Sequence, residues 1–194
     1  MAFSLRSQEC FNKVLSHSLK TAGSEIFASS TLEESAANDE DLARVKMSRI
    51  MLTIAGIDFR ITFLLHYRDD ALIRTVIKSA GSEEGGVNNT IVDSEELDAY
   101  FLEMGNRICG EAKRLCYESF DHLGMSTPCV LSATTTLRDM HNADLQCEGH
   151  VRFEKGGSPV MAGSVFVYGK ADIELDLDDS QFAEQEGTGE LEFF

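Results

Sequence analysis

This chain is poor in positive charge: 17 Lys and Arg stand against 33 Asp and Glu, a formal net charge of −16. That balance speaks against nucleic-acid binding, because neutralising phosphates requires Lys and Arg clustered on one face. Long apolar runs are missing as well. No stretch approaches the roughly 20 residues of a membrane span, and Met1–Leu19 is broken by Arg6, Glu9 and Lys13, which does not read as a signal peptide. The five cysteines, Cys10, Cys109, Cys116, Cys129 and Cys147, are odd in number and without close pairs. Several fall at core positions, so they read as small buried hydrophobes of a reducing cytoplasm. There is no His-x-x-x-His and no Cys-x-x-Cys, hence no metal-ligand spacing. Neither a Gly-Lys-Ser phosphate loop nor a Gly-x-Ser-x-Gly elbow occurs. Acid pairs such as Glu33/Glu34 and Glu83/Glu84 sit in loop-like sequence without fixed geometry, which leaves glycosidase-type catalysis unsupported.

What the chain has is patterning. Its 43% hydrophobic content over 194 residues suffices to bury a core. Helical periodicity is clearest from Leu97 to Leu123. At 100° per residue Leu97, Phe101, Met104, Ile108, Ala112, Leu115, Cys116 and Leu123 share one side, with Gly105 and Cys109 beside them. Glu103, Asn106, Arg107, Gly110, Lys113, Arg114 and Tyr117 take the other side. Asn in a helix interior is poorer than Ala by roughly 0.6 kcal/mol and Gly by about 1. An exposed face that keeps both gives up about 1.5 kcal/mol with no packing return visible, as a surface kept for another purpose would. Glu103 and Asn106, three apart, project side by side, and Gly110 lets another backbone come close.

The rest of the chain predicts one domain over residues 1–177. A first helix spans about Ser4 to Ala22, with Cys10, Phe11, Val14, Leu15, Leu19 and Ala22 inward and Gly23 as its stop. Ser24–Glu40 reads as a short strand and a mobile connector. Ile50, Leu52 and Ile54 alternate with polar or mixed positions, Ala55-Gly56 turns, and Ile57, Phe59, Ile61, Phe63 and Leu65 alternate again, a hairpin. A shorter helix follows Arg68-Asp69-Asp70 and ends at Gly81, and Gly81–Thr90 is a polar loop. After Pro128 come a short strand to Leu131, a loop or short helix over Thr134–Leu145, a strand around Cys147–Phe153, and a long strand Gly163–Leu177. Residues 178–194 contain no Lys or Arg and read as an acidic, disordered tail. The fold class is α+β: two long helices and a shorter one on a mostly antiparallel sheet that buries one face.

The run Glu103-x-x-Asn106-x-x-x-Gly110, followed by Pro128 at the start of a strand, resembles the CheC/CheX/FliY chemotaxis phosphatases, and among them the CheX-like branch. The CheC branch favours Asp or Ser four positions before the Glu, where this chain has Ala99, with Asp98 one place off. The resemblance covers about Glu9 to Leu177. It implies a phosphatase for the aspartyl phosphate of a CheY-type receiver in chemotaxis or related two-component signalling, with no cofactor on this chain and Mg²⁺ held by the partner. It implies that Asn106 orients the attacking water, that Glu103 pairs with the receiver's Lys, and that Arg107 and Gly110 belong to the contact face. It also implies a homodimer joined through sheet edges, for which Gly163–Leu177 is the candidate edge. A second Glu-x-x-Asn pair, Glu9/Asn12, is the weaker candidate, because Ser16 stands where the pattern has Gly and Asn12 lies near the edge of its apolar stripe. The alternative function is a non-catalytic module that binds a response regulator or a flagellar-switch component.

Overall fold

The computed structural model of the chain describes residues 4–29, 32–38, 42, 47–80, 93–120, 122–131, 135–169 and 173–182. A seven-stranded sheet organises them. Its strands are β1 (Glu33–Ala36), β2 (Ser48–Ala55), β3 (Phe59–Tyr67), β4 (Gly124–Met125), β5 (Cys129–Val130), β6 (Leu145–Lys155) and β7 (Ser158–Gly169). They lie in the order β1-β6-β7-β3-β2-β4, with β5 also paired to β2, and every pairing is antiparallel. The helices are α1 (Leu5–Ala22), α2 (Ser24–Ser29), α3 (Ala71–Ala80) and α4 (Ser94–Cys116).

The helical stripes meet one face of this sheet. Phe11, Val14, Leu15 and Leu19 of α1 and Leu97, Phe101, Met104, Ile108 and Leu115 of α4 are buried in one cluster with Ile50, Leu52, Ile54, Phe63, Val165 and Val167. Two glycines bring α1 close to the strands. A Cβ on Gly163 would stand 2.4 Å from Leu19 Cδ1, and one on Gly149 would overlap the Asn12 amide. Ser4 caps α1, accepting a hydrogen bond from the Ser7 amide at 3.1 Å, and Gly23 ends it as the sequence indicates.

Several expectations need correction. The sheet centre is buried on both faces, not one. A second cluster of Leu42, Leu64, Leu137, Ala162, Phe166 and Tyr168 covers the side away from the helices. That is why Ile61–Tyr67 and Val160–Tyr168 are buried without interruption. The long terminal strand is β7, which starts at Ser158 and ends at Gly169, and it lies between β6 and β3. Both its edges are hydrogen-bonded, so it cannot serve as a dimer edge; β1 and the short β4/β5 pair occupy the sheet's margins. Beyond it the alternation persists, with Ile173, Leu175 and Leu177 buried and Glu174 and Asp176 exposed. This stretch is an extended strap outside the sheet: the Leu175 amide donates to Ser7 Oγ of α1 at 3.1 Å. Ser24–Ser29 is a short helix, and the strand follows it at Glu33–Ala36; Glu33 and Glu34 are therefore in a strand, not a loop. Ile57 sits in the hairpin turn, 83% exposed, because the turn closes with the Gly56 amide donating to the Phe59 carbonyl. Of the two alternatives expected for Thr134–Leu145, a loop or a short helix, the structure has a short 3₁₀ helix at Leu137–Met140. Of the anticipated disordered tail, Asp179–Phe182 forms a single 3₁₀ turn. The expected loop at Gly81–Thr90 and tail residues 183–194 lie outside the described residues.

Candidate functional site

The site belongs to α4, and its local sequence explains why a long helix forms there. Asp93 and Glu96 make a reciprocal capping box: the Glu96 amide donates to Asp93 Oδ1 at 2.8 Å and the Asp93 amide to Glu96 Oε2 at 3.2 Å. Glu95 and Glu96 in the first turn and Lys113 and Arg114 in the last complement the helix dipole. The helix ends at Cys116, seven residues before the expected Leu123. No glycine closes it. Instead the Ser119 and Phe120 amides both donate to the Cys116 carbonyl, and His122 turns the chain at φ 58° to bring Leu123 back into the core.

All of the inward residues anticipated on α4 are buried. Gly105 lies where the helix presses on β2: a Cβ there would stand 3.1 Å from Leu52 Cδ2 and 3.5 Å from Pro128 Cβ. Pro128 is thus under the helix next to the candidate pair. Asp98 is drawn inward, accepting a 2.5 Å hydrogen bond from the Tyr67 hydroxyl, so it does not join the exposed face beside Glu103.

On the outer face Glu103 and Asn106 are both exposed, and Asn106 Nδ2 donates to Glu103 Oε2 at 3.4 Å. The next turn is open: nothing lies within 4 Å of where a Gly110 Cβ would be. A concavity of about 390 Å³ begins there, lined by Gly110, Lys113, Arg114, Tyr117 and Glu118. Arg107 is half-buried, and its Nε is buried without a hydrogen-bond partner among the described residues. Arg114 is held by Glu111 through bonds of 2.9 and 2.6 Å, and Glu111 also meets His17 of α1 at 3.1 Å. The hydrogen bonds from Arg114 are the main cause holding the Glu111 carboxyl below the usual carboxylate range.

The other candidate pair is placed differently. Glu9 is exposed, but Asn12 is half-buried with its Oδ1 pressed against the Gly149 backbone. Ser16 donates to Glu34 Oε1 of β1 at 2.6 Å, and Lys20 pairs with the same carboxylate, so β1 flanks the position where the motif has Gly. The cysteines offer no nucleophile on either helix. Cys109 and Cys116 face inward, and burial pushes their thiols up to about 11 and about 12. Among the described residues no group of three His, Cys, Asp or Glu is arranged to hold a metal ion. The periodicity of α4 puts Lys113 and Tyr117 on the outer face. The concavity they line went unanticipated, because Glu118 reaches it from beyond the helix end.

No family model matches the chain, and no curated protein matches it in sequence. Solved structures do match it. A chemotactic CheC-like protein from Shewanella oneidensis MR-1 aligns over 81% of this chain and 97% of its own, at TM-score 0.60 and 19% identity. A CheC-like superfamily protein from Shewanella sp. PV-4 aligns over 82% and 97%, at TM-score 0.57 and 17% identity.

The fold is CheC-like.

A further CheC-like match is a chain of the CheX–CheY–BeF₃–Mg²⁺ complex from Borrelia burgdorferi, at TM-score 0.50 and 13% identity, covering 79% of this chain and 96% of that one. The CheC-like fold accounts for the α+β architecture and the mostly antiparallel sheet expected from the sequence. No helix among the described residues is long and apolar enough to cross a membrane.

Proposed function

We propose that the Glu103/Asn106 face of α4 accelerates hydrolysis of an aspartyl phosphate carried by a CheY-type receiver domain. The observation that carries this reading is the pair itself: two exposed side chains one turn apart, hydrogen-bonded to each other, with open space at Gly110 on the next turn. Neither group is a nucleophile with a base beside it, so the pair suits a reaction whose electrophile arrives on a partner. Such a partner brings the phosphoryl group, its own Mg²⁺ and a Lys; what remains is to place a water in line. Positioning and charge stabilisation are the main levers in phosphoryl transfer.

With Asn106 Nδ2 turned to Glu103, its Oδ1 is left to accept a hydrogen bond from that water. The water oxygen attacks phosphorus, the bond from phosphorus to the aspartyl oxygen breaks, and free carboxylate and inorganic phosphate leave. Glu103 keeps a second carboxylate oxygen for the receiver's Lys, which fixes the docking. Arg107 lies on the same face, and Gly110 gives the receiver's backbone room. Support by fold comes from the CheX–CheY complex, which joins a protein of this architecture's class to a receiver.

The test follows the decay of phosphorylated receivers from the same host with and without this protein. Acceleration that disappears in Asn106→Ala upholds the reading. Binding without acceleration leaves a non-catalytic receiver-binding module in its place.

A further inference from the structure

Arg107 stands on the candidate face without a partner. It is half-buried, its Nε is closed off from solvent, and no acceptor among the described residues meets its guanidinium. The helix offers it two carboxylates at the right spacing. Glu103 stands four residues before it and Glu111 four after it, and a Glu four residues ahead of a cation is the favourable order for a helical ion pair. Both are engaged elsewhere. Glu103 Oε2 accepts from Asn106 Nδ2 at 3.4 Å. Glu111 is held by Arg114 at 2.9 and 2.6 Å and by His17 of α1 at 3.1 Å. A partly desolvated guanidinium with nothing to donate to is destabilising, and Met or Leu would give the same apolar stem without that cost. Such a group is set for an acceptor that arrives from outside.

We propose that Arg107 determines which receivers this protein accepts, by donating a two-pronged hydrogen bond to a surface carboxylate of the receiver. This assignment rests on the function proposed above and narrows its substrates. They are CheY-type receivers with an Asp or Glu about 5–6 Å, one helical turn, from the Lys that Glu103 meets. Glu103 and Arg107 present a minus and a plus charge one turn apart on α4, so the matching receiver presents a plus and a minus at the same spacing. Docked in the reverse sense, its Lys would face Arg107 and its carboxylate would face Glu103. Both contacts then repel, which fixes the register and rejects receivers with a cation at that place. The planar fork of a guanidinium takes both oxygens of a carboxylate, as an ammonium does not. The phosphoryl group is the other anion a receiver brings, but at 100° per residue Glu103 falls between Asn106 and Arg107 around the helix. Arg107 is therefore on the far side of Glu103 from the amide that meets the attacking water.

The experiment titrates the full chain with the host's CheY-type receivers carrying Mg²⁺ and BeF₃⁻, which stands in for the phosphoryl group, and follows dephosphorylation in parallel. Arg107→Met keeps the length of the stem and removes the charge. It is expected to raise Kd and KM about tenfold or more with kcat unchanged. Its urea midpoint should be at or above the parent's, because no internal partner is lost. Arg107→Lys, which keeps the charge without the fork, is expected to recover part of the affinity. Arg107→Glu should bind more weakly still, and changing one receiver Asp or Glu to Arg should restore its binding while weakening the parent's. Unchanged affinity in Arg107→Met overturns the assignment, as does weaker binding accompanied by a lowered urea midpoint. A fall in kcat in place of the rise in KM also overturns it, as does the absence of any receiver acid whose reversal restores Arg107→Glu. A parent chain that binds receivers without accelerating their decay sinks the phosphatase reading alone, and the titrations still decide Arg107. A parent chain that binds no receiver overturns both.

Discussion

At Asn106 the proposed function rests on a single side chain: a poor helix former, exposed, in the middle of a helix whose N-terminus is capped by Asp93. Asn106→Ala is expected to fold at least as stably as the parent, by up to roughly 0.6 kcal/mol in urea unfolding. It should lose nearly all acceleration of receiver dephosphorylation while still binding the receiver. The role proposed for Glu103 is complementary. Truncating one partner of a charge pair formed on docking costs about 2 kcal/mol or more, so Glu103→Ala should weaken the complex by about 30-fold, more than Asn106→Ala does, in a titration with phosphorylated receiver. Asn12→Ala is expected to keep close to the full rate. Its amide lies against Gly149, and the face beyond it is flanked by the Ser16–Glu34 contact. A large loss in well-folded Asn12→Ala would mean two working sites. The spacing Glu-x-x-Asn occurs in both helices and is legible in the sequence. Which amide is accessible depends on Gly149 in β6, more than 130 residues away, and no local pattern reports that.

At the scale of the element, α4 carries two glycines with opposite structural roles. A Gly105 Cβ would already press on Leu52 and Pro128, whereas one at Gly110 would meet nothing. Gly105→Val should therefore lower stability by about 1–3 kcal/mol through overpacking. Gly110→Ala should raise it by up to about 1 kcal/mol from helix propensity yet slow dephosphorylation, because the added methyl group stands in the receiver's path. Thermal or urea unfolding of the two variants beside the receiver assay tests both halves. The face of each helix was readable from its 3.6-residue period, and the hairpin from its alternation, because each pattern records a short-range geometry. The helix terminus was not. Leu123 continues the apolar period of α4 but enters the core after a turn at His122, with no glycine to mark the stop. The strand after Pro159 misled in a similar way. Ile173, Leu175 and Leu177 alternate like a strand, but they lie in an extended strap that forms no strand pairing among the described residues and is held by side chains, Ser7 of α1 at the Leu175 amide and Gln146 of β6 at the Ile173 amide.

Across the whole molecule, the second face of the sheet holds a polar chain whose middle members, His66 and Ser164, are buried. Arg49 Nε donates to His66 Nδ1 at 3.3 Å, which puts the imidazole proton on Nε2, 2.8 Å from Ser164 Oγ; Ser164 in turn meets His150 Nδ1 at 2.8 Å. Burial first, then the nearby Arg49 and His150, push His66 down to about 3. In the unfolded chain His titrates near 6.5, so below that pH the unfolded state binds a proton that the folded state refuses. Stability is full above about pH 6.5 and falls as the pH drops toward 3, by up to about 1.4 kcal/mol per pH unit for this group. Urea unfolding between pH 7 and pH 4 should show that slope, and His66→Gln should flatten it by one proton's worth. Composition, two helix periods, the hairpin and the Glu103/Asn106/Gly110/Pro128 set determined by themselves that this is an α+β chain with one helix face set apart, because each is a local regularity or a motif in linear order. Only the tertiary structure decided that β7 is central, that both faces of the sheet are covered, and that residues 179–182 end against Arg114 and Glu118. Those facts are settled by pairings between distant segments, and strand order and burial partners leave no periodic trace in the strands they join.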